Sequence, residues 1–116
     1  MRALTYSTLI GLLAATGLRP GEALRLDRSD VNLVSGILSI RESKFGKSRF
    51  VPVAESTRAA LEQYAQKRDQ LCPLRLSEAF LVSEHGKRLK AGTARSIFVR
   101  MSRAIGLRIG YRGWAR

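Results

Sequence analysis

The sequence contains little cysteine and no long hydrophobic run. Its single cysteine, Cys72, cannot form an internal disulfide, and no group of ligand residues beside it suggests a metal site. No apolar segment reaches the roughly 18–20 residues that cross a membrane. The apolar N-terminal stretch continues into an Arg-Pro-Gly-Glu turn and not into the small-residue cleavage site of an export signal. We therefore expect a cytoplasmic protein without a metal site or a membrane partner.

Negative charge is also scarce. Nine acidic residues stand against 21 lysines and arginines, so the net charge is +12 and the isoelectric point is about 11.3. This excess favours a polyanionic partner over an acidic small molecule. Residues 85–116 include nine basic residues and no acidic one. Such a segment would neutralise several phosphates, which makes binding strongly dependent on salt.

Hydrophobic periodicity predicts an α+β fold, mainly α-helical with a small three-stranded antiparallel sheet. The expected helices are a first helix before Gly17, a second after Pro20, and later ones at residues 55–69 and 93–105. The expected strands are residues 31–33, 37–41 and 49–53, with residues 27–31 as a loop, 80–82 as a short extended piece and 84–90 as a polar turn. We divide the chain into one domain, residues 1–105, and a basic glycine-containing tail, residues 106–116, which lacks periodicity and is expected to be partly disordered.

The most informative segment is residues 16–26, which read TGLRPGEALRL. Gly17 can end a helix because it accepts a left-handed conformation, and Pro20 suits the first turn of the next helix. Arg19 is thereby held at a helix start, where its planar guanidinium can bind two phosphate oxygens. Glu22 can reach back to that guanidinium or to the free N–H groups of the first turn. From this segment alone, an ordinary solvated ion pair is an equally good interpretation.

Three segments, in order, resemble the catalytic domain of tyrosine recombinases, the phage integrase family. They are the bend at residues 16–26, the strand pair with Lys44 and RFVPV at residues 49–53, and AFLVSEHGKRL at residues 79–89. The resemblance implies that a tyrosine attacks DNA to form a phosphotyrosine link, which a 5′-hydroxyl later reverses, with no metal or nucleotide cofactor. It covers nearly all of this chain, but only roughly the first two-thirds of a family catalytic domain.

The resemblance also implies roles for individual residues. Arg19 corresponds to the first catalytic arginine, which would bind the nonbridging oxygens as charge builds on them, with Glu22 in support. Lys44 corresponds to the lysine that protonates the departing 5′-oxygen. Lys47 in the same turn is the competing candidate, and simple backbone contacts by both lysines are the alternative. We expect further contacts to DNA from a set of basic side chains: Lys47, Arg49, Lys87, Arg88, Lys90 and Arg95.

The later elements of the family are not recognisable in these residues. A tyrosine recombinase also needs a His-x-x-Arg element on a later helix and a tyrosine nucleophile. Residues 85–88 (HGKR) match the His-x-x-Arg pattern. Because Gly86 indicates a turn and not a helix, we interpret the match as a coincidence. Tyr6 and Tyr64 suit buried helix positions, and Tyr111 lacks the surrounding family motif. We therefore expect the chain to be inactive alone.

Our leading hypothesis is the DNA-binding fragment of a site-specific recombinase from a bacterial mobile element, bound to double-stranded DNA in the nucleoid. A noncatalytic basic DNA-binding module is the alternative. A metal-dependent nuclease is disfavoured, because the sequence offers no paired carboxylate cluster. Apolar faces that absent helices would cover lead us to expect homodimerisation.

Overall fold

The computed structural model describes residues 2–42, 47–90, 92, 95–96 and 99–100. The helices are α1 (Arg2–Thr16), α2 (Pro20–Leu24) and α3 (Glu55–Leu71), and the strands are β1 (Val31–Asn32), β2 (Ile37–Glu42) and β3 (Lys47–Pro52). The strands form an antiparallel sheet in the order β1-β2-β3. The predicted α+β class with a three-stranded antiparallel sheet is confirmed.

The bend between α1 and α2 has the predicted backbone. Gly17 takes a φ of 72°, and its N–H donates to the Leu13 carbonyl at 2.9 Å. This left-handed residue ends α1 and redirects the chain. Pro20 is the first residue of α2, where a missing N–H leaves no hydrogen bond unmade. Arg19 is therefore the residue at which the second helix begins.

The core lies between α1, α3 and one face of the sheet. Alternation along β2 buries Leu38 and Ile40, whose exposed fractions are both 1%, and leaves Ser39 on the other face. Residues 79–82 are equally buried, but residues 80–82 are not the predicted short extended piece, because the chain bends at Phe80 and Leu81 between isolated bridges at Ala79 and Val82. Further core side chains come from the helices and from the segment after α2: Leu9, Leu12, Leu24, Leu26, Leu61 and Tyr64.

Two buried polar groups connect α3 to residues 79–82. The Tyr64 hydroxyl accepts a hydrogen bond from the Val82 N–H at 3.0 Å and lies 3.1 Å from the Thr5 hydroxyl. This confirms the interpretation of Tyr64 as a buried ring with a satisfied polar tip. Arg68, which the sequence did not place in the core, is 4% exposed and donates to the Phe80 carbonyl at 2.8 Å. Its Nε also lies 3.0 Å from Asp69 Oδ1, and its charge is tolerated because the carbonyl and the carboxylate together replace water.

Other segments differ from the sequence predictions or lie outside the described residues. Residues 27–31 are not a simple loop, because Arg28–Asp30 form a 3₁₀ turn and Asp27 forms an isolated bridge with Ala79. Helix α3 continues two residues past the predicted end at Asp69. Residues 92, 95, 96, 99 and 100 are helical, whereas the inward positions expected there (Ile97, Phe98, Met101 and Ile105) and the tail at 106–116 lie outside the description. Within the described residues, no helix combines the length and apolarity needed to cross a bilayer.

Replacing Gly17 by Ala should lower the free energy of unfolding by about 1–2 kcal/mol. A Cβ at this position would meet nothing within 4 Å, so the cost arises from the positive φ alone. Gly21→Ala is the matched control, because it also has open space but lies inside α2 without a positive φ. That control should be neutral or slightly stabilising in urea denaturation. Equal losses in both variants would contradict the left-handed cap.

Candidate functional site

The candidate site begins with the exposed side chain of Arg19 at the start of α2. The backbone of Arg19 is extended, with φ of −72° and ψ of 144°, so the residue stands just before the first helical turn. The short α1–α2 connection and the buried side chains of Leu24 and Leu26 hold this turn against the core. The guanidinium of Arg19 is thus presented to solvent from a backbone that packing fixes.

Glu22 connects the Arg19 bend to the sheet. Its Oε1 accepts the Arg19 backbone N–H at 3.0 Å. Its Oε2 lies 2.9 Å from Arg49 Nη1, and its Oε1 lies 3.2 Å from Arg49 Nη2. Of the two contacts expected for Glu22, the one to a free N–H of the first turn is therefore present. The carboxylate pairs with Arg49 and not, as the simplest interpretation assumed, with the Arg19 guanidinium.

The environment of Glu22 favours its ionised form. The hydrogen bond from the Arg49 side chain is the largest influence and lowers the pKa of the Glu22 carboxyl, while burial acts in the opposite direction. The hydrogen bond from the Arg19 N–H and the charges of both arginines lower the pKa further. The side chain is only 11% exposed, so the fork-to-fork contact with Arg49 is partly shielded from water. Glu22 therefore carries its negative charge at neutral pH.

The hairpin that carries the candidate lysines is only partly described. Strands β2 and β3 pair from Ile37 with Pro52 to Glu42 with Lys47, and Arg49 lies opposite Ile40. Lys44 falls within residues 43–46, outside the described residues. Lys47 is described as the first residue of β3. The choice between the two lysines stays a prediction.

Arg88 contacts the body of the protein. Its Nη1 donates to the carbonyl oxygens of Leu24 at 2.8 Å and Leu26 at 3.3 Å, and its Nη2 pairs with Asp27. The last carbonyls of a helix have no partner within the helix, and Arg88 supplies donors at the end of α2. Its basic side chain had led us to expect a DNA contact, and this structural role was not predicted from the sequence. The only sequence signal for this role was that the last carbonyls of α2 need hydrogen-bond donors. That need does not indicate which residue supplies the donors.

A second arginine, Arg41, joins the same charged group. Its Nη2 lies 2.9 Å from Asp30 Oδ2 and 3.1 Å from Asp27 Oδ2, and it donates to the Arg25 carbonyl at 2.8 Å. Asp27 thus pairs with Arg41 and Arg88 together. This group fastens β2 and the turn around Gly86 to the end of α2, which keeps the site's supports in register.

The other predicted DNA contacts lie on the surface. Lys87, Lys90 and Arg95 are exposed. The segment at 85–88 forms a turn, since Gly86 has a φ of 76° and Val82 bridges Arg88. The expectation that this HGKR segment lies in a turn is confirmed. Across the described part of the chain, no group of three histidine, cysteine or acidic side chains could hold a metal ion.

Known proteins are similar to this chain in sequence and in fold. The chain matches the phage integrase family over residues 2–112. The integrase/recombinase y4rE of Sinorhizobium fredii is 48% identical over 107 residues, which are 92% of this chain and 34% of that protein. The tyrosine recombinase XerD of Staphylococcus epidermidis is 36% identical over 83 residues, 71% of this chain and 28% of its own length.

A solved structure agrees with these sequence relatives. The crystal structure of XerA recombinase superposes with a TM-score of 0.76 at 29% identity and covers 87% of this chain. The match spans 36% of the XerA chain. This chain therefore spans about a third of the length of the proteins it resembles.

Replacing Glu22 by Gln should lower the free energy of unfolding by about 1 kcal/mol at pH 7. Because the folded pKa of Glu22 lies below its ordinary value of 4.5, its contribution is present above that pH and is lost as the pH falls through the folded pKa. Urea denaturation from pH 7 to pH 3 should show wild type and variant converging. Glu55→Gln, at a 77% exposed side chain, is the control and should show a much smaller difference. A difference for Glu22 that persists at pH 3 would contradict the ion pair.

Proposed function

This chain belongs to the phage integrase family, and we propose that it is the DNA-binding part of a tyrosine recombinase catalytic domain that cannot cut and rejoin DNA alone. The observation that carries this proposal is the exposed Arg19 at a helix start whose backbone is fixed by Glu22. We assign the domain to residues 1–105 and a basic tail to residues 106–116.

In the proposed reaction, Arg19 binds the nonbridging oxygens of the scissile phosphate. A guanidinium offers two parallel donors to such oxygens, and its charge counts most where negative charge builds in the transition state. The proposed role of Lys44 is to give a proton to the departing 5′-oxygen as a tyrosine forms its bond to phosphorus. Lys47 remains the second candidate for this proton transfer. The pairing of Glu22 with Arg49 supports a common site, because it fastens the bend to β3, the strand that begins at Lys47 and follows Lys44 in the chain.

The proposed partner is double-stranded DNA in a bacterial cytoplasm. The net charge of +12 and the exposed Lys87, Lys90 and Arg95 support an electrostatic contribution to this binding. Homodimerisation is part of the proposal as well. Exposed apolar side chains at and beyond the end of α3 support it: Leu71 is 58% exposed, Leu74 73% and Leu76 60%.

The proposed inability to cut and rejoin DNA alone follows from two family elements. A His-x-x-Arg element in helical context and a tyrosine in its family motif are not recognisable in the sequence. Without a nucleophile, binding of the phosphate cannot proceed to cleavage. We therefore propose that strand exchange needs residues beyond these 116, whichever chain supplies them.

Replacing Arg19 by Ala should weaken binding to duplex DNA about tenfold, the loss expected for a charge-assisted hydrogen bond. The slope of log affinity against log salt should fall by about one. Fluorescence anisotropy at several salt concentrations measures both quantities. Arg75→Ala, which removes another exposed arginine, is the matched control and should have a smaller effect. Equal effects would favour a noncatalytic basic module.

Incubation with nicked duplexes should give no covalent protein–DNA adduct. A nick beside the cleaved phosphate lets the leaving fragment diffuse away, so any phosphotyrosine link would accumulate. Labelled duplexes drawn from the DNA around the coding region, resolved on a denaturing gel, provide the measurement. A band that disappears in Tyr111→Phe would overturn the proposed inactivity.

A further inference from the structure

We infer that Arg49 is a positioning residue that keeps Glu22 away from the Arg19 guanidinium and so leaves that guanidinium available for phosphate. The inference rests on the proposed function for its meaning in DNA binding. The competition of the two arginines for one carboxylate takes place in the free protein and can be measured without DNA. From the sequence alone, we expected Arg49 to contact DNA directly.

The first support is the geometry of the three residues. Both oxygens of Glu22 are engaged by Arg49, at 2.9 Å and 3.2 Å. A bidentate pair of this kind fixes the plane of the carboxylate as well as its position. That plane directs Oε1 at the Arg19 N–H, which it accepts at 3.0 Å. Arg49 therefore orients the group that holds the Arg19 backbone.

The second support is the charge balance around Glu22. Glu22 and Arg19 stand three residues apart at the same helix start, and the charge of Arg19 lowers the pKa of the Glu22 carboxyl. Because Glu22 Oε1 lies 3.0 Å from the Arg19 backbone nitrogen, the carboxylate would stay beside this residue if Arg49 released it. A carboxylate on the Arg19 fork would occupy the donors that a phosphate needs. The contact with Arg49 removes this competitor.

The third support is the location of Arg49 on the sheet. It lies on β3 opposite Ile40, whose side chain is 1% exposed, and its own side chain is 44% exposed. The buried neighbour fixes the register of the strand, so the head of Arg49 meets Glu22 from a rigid element. An arginine engaged in this way does not have the same donors available for DNA.

The free protein provides the first test. In NMR spectra of the full chain, the Arg19 backbone amide shift should titrate with Glu22, with a midpoint below the ordinary carboxyl value. Arg49→Gln should raise that midpoint, and Arg49→Lys should restore it only in part because a lysine cannot form the fork. Arg58→Gln, which breaks another bidentate pair on α3, should leave it unchanged. Because Arg19 itself can hold a released Glu22 in its charged form, the same substitution is repeated in Arg19→Ala, where the midpoint should rise further. A midpoint that Arg49→Gln leaves unchanged in that background would overturn the inference.

Duplex binding provides the second test, by anisotropy at fixed salt. Arg49→Gln alone should weaken binding several-fold, and adding Arg19→Ala should then cost less than about threefold, against about tenfold in wild type. Adding Glu22→Gln to Arg49→Gln should strengthen binding, and by more than Glu22→Gln does in wild type. Independent, multiplicative losses with no such rescue would show a direct phosphate contact by Arg49 and overturn the inference.

The two tests separate the inference from the proposed function. If the wild-type chain does not bind DNA, the proposed function fails, and the Arg19 amide titration still decides the role of Arg49. If DNA is bound and the losses are multiplicative, the function stands and the positioning role fails. Correlation spectra of each variant establish that it is folded before either measurement.

Discussion

The contact between Glu22 and Arg49 is the interaction on which the candidate site depends. It joins a helix start to a strand that is distant along the chain, and its geometry fixes a carboxylate in both position and plane. The same carboxylate accepts the Arg19 N–H, so one ion pair supports the backbone from which the exposed Arg19 side chain projects. Without it, the hairpin would still be joined to the end of α2 through Arg41, but no described ion pair would reach the start of α2 where Arg19 lies.

Local chemistry made the bend predictable. A glycine that ends one helix and a proline that begins the next both act through their own backbone angles, and the structure shows Gly17 and Pro20 in those roles. The sheet was predictable for a similar reason, since β-branched alternation and short turns define hairpins within a few residues. The 3₁₀ turn at Arg28–Asp30 was missed because its hydrogen bonds replace a regular period with a single tight turn.

The assignment of arginines was the least predictable part of the site. A basic side chain reads the same in a sequence whether it meets DNA, a helix end or an aromatic core. Arg88 satisfies the carbonyls at the end of α2, and Arg68 lies 5.1 Å from the Phe80 ring centre. These roles depend on residues far away along the chain, which periodicity does not report. A net charge of +12 therefore overstates the number of cations available to a partner.

The hairpin register has a consequence for how related sequences can diverge. Six residue pairs join β2 and β3, and they place Arg49 on the face that meets Glu22. A single residue inserted into β3 between Arg49 and Val51 would turn Arg49 to the opposite face, because side chains alternate with a period of two. A change of chain length that leaves the ion pair intact must therefore fall outside the paired residues 37–42 and 47–52.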